Sequence, residues 1–420
     1  MIIEQLHKEF LASSGVCTDT RKIKKDCLFI ALKGENFNGN TFANEAIKKG
    51  AYKVIIDEES FQNNHTILVD DCLQTFQKLA SFHREYLKIP IISLTGSNGK
   101  TTTKELINAV LSEKFKTTAT QGNLNNHIGV PLTLLSMDKT TEIGIVEMGA
   151  NHLHEIESLC EIAQPDYGYI TNFGKAHLEG FGGIEGVIKG KSEMYTYLKK
   201  HSKTVFVNGT DNKQLELTKD LNRVVFDEHI IQLKDATNEV KVLFKNNEIQ
   251  SNLVGLYNFN NIAAAIAIGD FFKVSVQQIK NGIENYIPQN NRSQRIEKNG
   301  HHIIMDAYNA NPTSMMAALL NFKQTKAADK ILILGDMFEL GAEAQKEHEH
   351  VASFLKENPF ATVYLLGENF FRTNSEAVHI QKYKTFDDFK KHFNVSEINS
   401  SFFLIKGSRG MALERVLEML

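Results

Sequence analysis

Apolar positions along this chain fall into short runs separated by amphipathic stretches. Residues 28–32, 54–56 and 66–69 read as strands. Residues 42–49 and Cys72–Leu87 instead carry the three-to-four-residue spacing of helices. After Pro90, the runs 91–94, 143–146, 167–171 and 204–207 are almost continuously apolar, the pattern of parallel strands buried on both faces. Residues 101–113 and 260–272 are helical in spacing. Strands alternating with helices up to about residue 287 predict a parallel sheet covered on both sides, with ligands at the carboxyl ends of its strands. Ile287-Pro-Gln-Asn-Asn291 reads as a linker. Beyond it, 302–305, 330–334, Thr362–Leu366 and 401–405 are strand-like and 314–324 and 342–356 helical, a second, smaller α/β unit. The predicted fold class is α/β in three blocks, residues 1–88, 89–287 and 288–420.

Composition narrows the function more than the fold. A chain of 420 residues suggests two to four domains, and 42% hydrophobic with 23% charged residues describes an ordinary globular protein. A net charge of −3 gives no polyanion-binding footprint and argues against nucleic acid as a partner. Cys17, Cys27, Cys72 and Cys160 form no Cys-x-x-Cys pair, which argues against structural zinc or a disulfide framework and fits a reducing compartment. Glu4, Lys8 and Glu9 are unlike a secretory signal, and no apolar run approaches the roughly 20 residues of a membrane span. A cytoplasmic protein with no membrane insertion is expected.

The clearest chemical signal is Thr95-Gly-Ser-Asn-Gly-Lys-Thr-Thr-Thr103, directly after an apolar strand. Gly96 and Gly99 allow a sharp turn in which the N–H groups of the loop, through Ser97 and Asn98, converge on phosphate oxygens. Lys100 can then reach the outer phosphates, and the Thr101 hydroxyl, with Thr102 beside it, can ligate magnesium. Only Ser97 and Asn98 separate the glycines, a shorter loop than the Walker pattern. The reading is ATP bound with magnesium. The metal needs further oxygen ligands, and Glu147 at the end of a strand is one candidate, although the position also suits a surface acid. His177 likewise follows a strand, where a structural role competes with a ligand role. His152/His154 and His348/His350 are two residues apart, on different helix faces, and read as surface features. Lys189 and Lys191 read by default as a solvated helix face.

Taken together, these segments resemble the Mur ligases of peptidoglycan synthesis, and among them the D-alanyl-D-alanine-adding type. The short phosphate loop is similar to the one Mur ligases share with folylpolyglutamate synthases. Asn172-Phe-Gly-Lys-Ala-His177-Leu-Glu resembles the family signature whose histidine binds magnesium. Lys191-Ser-Glu matches the family lysine that is carbamylated, which implies a second ion held by His177 and Lys191 beside one held by Thr101 and Glu147. Gly255-Leu-Tyr-Asn258-Phe-Asn-Asn261 resembles the segment beside the adenine, with Tyr257 in place of the usual histidine. Arg292, or alternatively Arg295, and Asp306 correspond to the pair that closes over ATP.

The resemblance also implies where substrates sit. Thr18-Asp-Thr20-Arg21 and the stretch from Ala31 through Gly34 to Asn38 are similar to the uridine-nucleotide pocket, although Asn38-Gly-Asn40 stands where many members have Asp-Gly-His. Asn125 and Asn126 lie in a loop like the one that meets the muramoyl-peptide. Asn309 and Asn311, Asp336, and Lys406, Ser408 and Arg409 match three blocks typical of the D-alanyl-D-alanine-adding type. The implied architecture is a uridine-nucleotide domain, a central ATPase domain and a C-terminal Rossmann-like domain. The implied substrates are UDP-N-acetylmuramoyl-tripeptide and D-alanyl-D-alanine, with lysine or meso-diaminopimelate third in the peptide, and the implied state is a monomer. A sibling ligase, a folylpolyglutamate synthase and a non-ligating nucleotide-binding protein are the competing readings. The last leaves the two outer blocks without a task.

Overall fold

A computed structural model describes residues 2–289, 291–327, 329–395, 398 and 401–420. Asn290, within the expected linker, lies outside them. The first block folds around a four-stranded parallel sheet, ordered Val16–Cys17, Leu28–Ile30, Lys53–Ile56 and Thr66–Leu68. Its last helix, Cys72–Leu87, starts where the Asp71 carboxylate accepts the Gln74 N–H, and stops at Lys88, whose backbone is left-handed. The helix buries Phe76, Leu79 and Ala80, a spacing of three to four that matches its turn.

The central block carries a six-stranded parallel sheet, ordered Asn222–Phe226, Thr204–Asn208, Tyr167–Ile170, Ile91–Thr95, Ile143–Glu147 and Thr117–Ala119. Ile91–Thr95 is buried throughout and paired on both sides, as its unbroken apolar run predicts. The chain moves from it first to one side and later to the other. The crevice at its carboxyl end is therefore a topological switch point, where such sheets bind ligands. Helix Lys100–Ser112 leaves that point and packs against Asn258–Phe271, which is apolar on almost every face and correspondingly buried.

One expectation needs correction. Strand–helix alternation does not continue to residue 287, because Ile231–Asp235, Glu239–Phe244 and Asn247–Val254 form a separate antiparallel sheet. The cause is local: Lys245 and Asn246 both take positive φ in a two-residue turn, and the flanking strands alternate buried positions with half-buried ones in Glu239–Phe244 and with exposed ones in Asn247–Val254.

The third block is a six-stranded sheet, ordered Gln294–Lys298, His301–Asp306, Phe402–Lys406, Lys330–Gly335, Thr362–Leu366 and Ile380–Tyr383. Only the first strand runs antiparallel to its neighbour. Among the described residues no helix is long and apolar enough to cross a membrane.

Candidate active site

The loop after Ile91–Thr95 is built from its own glycines and from the chain beyond the next sheet strand. Gly96 and Gly99 have φ of 140° and 79°. A Cβ at Gly96 would fall 2.0 Å from Thr171 Oγ1, and one at Gly99 2.5 Å from Asn261 Oδ1. Both positions therefore need glycine for conformation and for space. Thr171 and Asn172 brace the loop: Thr171 Oγ1 donates to Asn98 O at 2.6 Å, and Asn98 N donates to Asn172 Oδ1 at 3.1 Å. Ser97 Oγ donates to Gly174 O at 2.8 Å. The Lys100 ammonium donates to Gly96 O at 2.7 Å, and desolvation lowers it below the ordinary lysine range, opposed by Glu147. Thr101, Thr102 and Thr103 are buried at the start of the helix, and Thr103 Oγ1 donates to Asn261 Oδ1 at 3.0 Å. Asn261 in turn donates to Asn258, whose own amide donates to Val254 O. The two asparagines thus lock the loop's first helical turn to the neighbouring helix.

Glu147 ends the adjacent strand and is 1% exposed. Its Oε1 accepts from Asn125 Nδ2 at 2.7 Å, while the buried Oε2 accepts no hydrogen bond. Asn126 Oδ1 accepts from Ile128 N and Gly129 N, and so begins helix Gly129–Leu135. Lys191 is buried rather than solvated: its Nζ donates to Ala150 O at 2.8 Å and lies 5.0 Å from the Phe181 ring centre. Burial, and then the Lys100 charge, push its ammonium well below the ordinary range. His177 has left-handed backbone, and its Nδ1 faces the Glu339 carboxylate of the third block, which it holds below the usual range.

The third block closes over the loop. Asn311 caps helix Pro312–Gln324 through the Ser314 N–H and uses its Nδ2 to donate to Asn98 Oδ1 at 2.7 Å. Lys175 N donates to Thr313 Oγ1, and Lys175 Nζ pairs with Glu347 at 2.5 Å. Lys406, almost fully buried, pairs with Asp306 at 2.5 Å, and Asp306 also accepts the Ser293 N–H. Arg292 lies 3.6 Å over the Tyr308 ring, and its buried Nε has no partner. Arg295 instead turns to Glu239. Tyr257, in the place of the usual histidine, shares a 2.8 Å hydrogen bond with Ser293.

Most of these groups border one cavity of about 920 Å³. Residues 97–102, Asn125, Asn126, Glu147, His177, Asn258 and Asn261 face it from the central block, and Arg292, Asp306, Asn309, Asn311 and Lys406 from the third. The first block contributes Leu73 and Gln77. Of the two arginines, only Arg292 borders it.

Other expected residues lie elsewhere. Thr20 and Arg21 sit on a short turn of the first block, where Arg21 pairs with Asp19, and Gly34 and Asn38 sit on a small hairpin. Asn38 bonds to Glu58 and Asn40. Asp336 has both carboxylate oxygens engaged by Asn369 N and Phe370 N. Ser408 Oγ accepts from Phe338 N, and Arg409 is exposed and paired with Glu414. His348 is not a surface feature. It is fully buried, accepts the Met337 N–H on Nε2 and therefore donates from Nδ1 to Ala344 O, and desolvation lowers its pKa. Helix Ala344–Glu357 turns that face inward, whereas His152, His154 and His350 are exposed. Lys104, buried 3.7 Å from Glu147, escaped the sequence reading; its place one helical turn beyond Lys100 was the available signal. Among the described residues no three His, Cys, Asp or Glu side chains converge on one point.

Family models match along the chain: "Mur ligase family, catalytic domain" over residues 13–82, "Mur ligase middle domain" over 94–269, and "Mur ligase, glutamate ligase domain" over 291–409. The UDP-N-acetylmuramoyl-tripeptide--D-alanyl-D-alanine ligase of Bacillus subtilis is 34% identical, spanning 96% of this chain and 92% of the relative. The same enzyme of Escherichia coli is 31% identical over 97% and 93%. A crystal structure of MurF from Acinetobacter baumannii superposes with a TM-score of 0.88 at 29% identity, covering 99% of this chain and 97% of that one. MurF of Thermotoga maritima in complex with ADP gives 0.82 at 26%, with 97% of each chain covered. The chain belongs to the Mur ligase family, among its MurF-type members.

Proposed function

We propose that this ATP-dependent amide ligase joins D-alanyl-D-alanine to the terminal carboxylate of UDP-N-acetylmuramoyl-tripeptide, forming ADP and phosphate. One observation carries the reading: the phosphate loop of the central block and the Arg292, Asp306, Asn311 and Lys406 side chains of the third border a single cavity. A carboxylate is a poor electrophile, so it must first be activated. Its oxygen attacks the γ-phosphorus of ATP and ADP leaves. The dipeptide amine then attacks the acyl carbon, loses a proton and expels phosphate. Anions meet anions in the first step, and Lys100 with the loop N–H groups at a helix start offsets that repulsion. Asn258 and Asn261 hold the loop, Arg292 and Asp306 face the nucleotide from the third block, and Asn125, Asn126 and Asn309 line the remaining space for the peptides. The enclosing walls exclude water that would hydrolyse the acyl phosphate.

The residues also fit magnesium. Glu147 offers a buried oxygen with no hydrogen bond, and Thr101 stands at the helix start beside the loop. These two would hold one ion. His177 and Lys191, once carbamylated, would hold a second, and burial of Lys191 favours the neutral amine that carbon dioxide requires. The ions would supply charge neutralisation. Thr20, Arg21, Gly34 and Asn38 would hold the uridine nucleotide, and Ser408 and Arg409 the incoming dipeptide. Asp336, engaged by backbone N–H groups, would shape that end. We take 1–88, 89–287 and 288–420 as the working units. We take the chain as a monomer, as the family resemblance implies, acting in the cytoplasm, where ATP and the uridine-linked peptide are found.

The test is ADP release by the purified protein with ATP, magnesium, the uridine-linked tripeptide and D-alanyl-D-alanine. ADP should form only when both peptides are present, and its absence with the complete mixture would refute the reading. Running lysine- and meso-diaminopimelate-containing tripeptides in parallel identifies the accepted third residue.

A further inference from the structure

Helix Lys100–Ser112 buries a second lysine one turn beyond the phosphate-loop lysine. Lys104 is 2% exposed. Its ammonium donates to Gly122 O at 3.2 Å and stands 3.7 Å from Glu147 Oε2 and 4.0 Å from Glu105 Oε1. Glu147 Oε1 is taken by Asn125, whereas Oε2 accepts no hydrogen bond. That oxygen therefore has an ammonium on one side, too far for a hydrogen bond. Glu147 also borders the cavity, and Lys104 does not. A buried carboxylate oxygen with no donor is unfavourable, and a nearby cation offsets that cost only in part.

We propose that Lys104 is a built-in counter-cation that keeps Glu147 from holding a divalent ion until nucleotide phosphates are seated in the adjoining loop. The proposal rests on reading Glu147 as a magnesium ligand. An ammonium this close to Oε2 satisfies much of its charge and repels any second cation approaching the same oxygen. Without nucleotide, an entering ion meets one carboxylate that Lys104 opposes at 3.7 Å, with the Lys100 ammonium also in the field of Glu147. Bound phosphates add anionic oxygens on the cavity side, beyond the reach of Lys104, and tip the balance toward the ion. Metal and nucleotide then enter as a unit. Lys104 acts through Glu147 and is a positioning residue.

The test titrates Mn²⁺, followed by electron paramagnetic resonance, into the full chain with and without ADP, alongside thermal unfolding to verify folding. Wild type should bind the ion at least about tenfold more tightly with ADP, within the usual range of coupling between sites. Lys104→Met should gain about tenfold or more in nucleotide-free affinity. Lys104→Arg should behave as wild type, and adding Glu147→Gln to Lys104→Met should remove the gained site. Lys104→Gln serves if the methionine variant does not fold. Unchanged or weaker nucleotide-free binding by the neutral variants overturns the proposal, while ADP-dependent binding by wild type leaves the reading of Glu147 standing. Wild-type binding equally tight with and without ADP also overturns it. No Mn²⁺ binding under any condition overturns both.

Discussion

Lys100 sits where two glycines and a helix start converge, and its ammonium points back to the loop carbonyls. Removing one preorganised electrostatic contact of this kind costs about 10²–10³ in rate. Lys100→Ala should therefore lose ADP formation by at least that factor with the melting temperature unchanged; near-normal turnover would assign the charge compensation elsewhere. Lys191 makes a second residue-scale case. Lys191→Ala should be inactive and partly rescued by a small carboxylic acid that replaces a carbamate, and full activity without rescue would remove any metal role. Lys100 was legible because its neighbours in sequence are its neighbours in space. The burial of Lys191, Lys104 and His348 was not, because helix spacing names a face without saying what packs on it.

At the scale of elements, helix Ile3–Ala12 is tied to Cys72–Leu87 by a buried pair, His7 Nε2 and His83 Nδ1 at 3.0 Å. His83 Nε2 continues to Met137 O in the central block at 2.9 Å. That carbonyl accepts, so His83 donates to it, and His7 donates to His83. Desolvation, and then His83, lower His7 from 6.5 to about 4. The unfolded chain thus binds more protons between these values, and stability is complete above pH 6.5 and falls as pH drops toward 4. Melting temperatures measured from pH 7.5 to 4.5 should decline less steeply for His7→Phe than for wild type. Equal slopes would place the acid sensitivity in other groups. The antiparallel sheet of residues 231–254 belongs to this scale too. Its alternating pattern was present in the sequence, and the apolar runs on either side masked it.

Across the whole molecule, the central and third blocks meet through Asn98–Asn311, Lys175–Thr313, Lys175–Glu347 and His177–Glu339. These four contacts start from the phosphate loop or from residues 172–179, which brace it, whereas Tyr257–Ser293 and Arg295–Glu239 cross the same boundary elsewhere. Occupancy of the loop and closure of the third block should therefore be coupled. Small-angle scattering should show a smaller radius of gyration with a non-hydrolysable ATP analogue, and Asn311→Ala should weaken that compaction. No change under saturating ligand would argue against a hinge near residues 287–291. Asn311→Ala should also lower stability by about 1 kcal/mol through loss of the helix cap, which thermal unfolding reads separately.

Local chemistry was determined by the amino-acid order alone: the glycine turn that leads into Lys100 and the apolar runs of the buried parallel strands each lie within a short interval of sequence. The family resemblance likewise rested on motifs read along the chain. Tertiary structure decided what depends on distant segments meeting. It turned Arg292 rather than Arg295 toward the cavity, buried Lys104 behind Glu147, and set His177 against Glu339. Those outcomes depend on which surfaces pack together, because burial and charge pairing are properties of an assembled volume and not of a sequence interval.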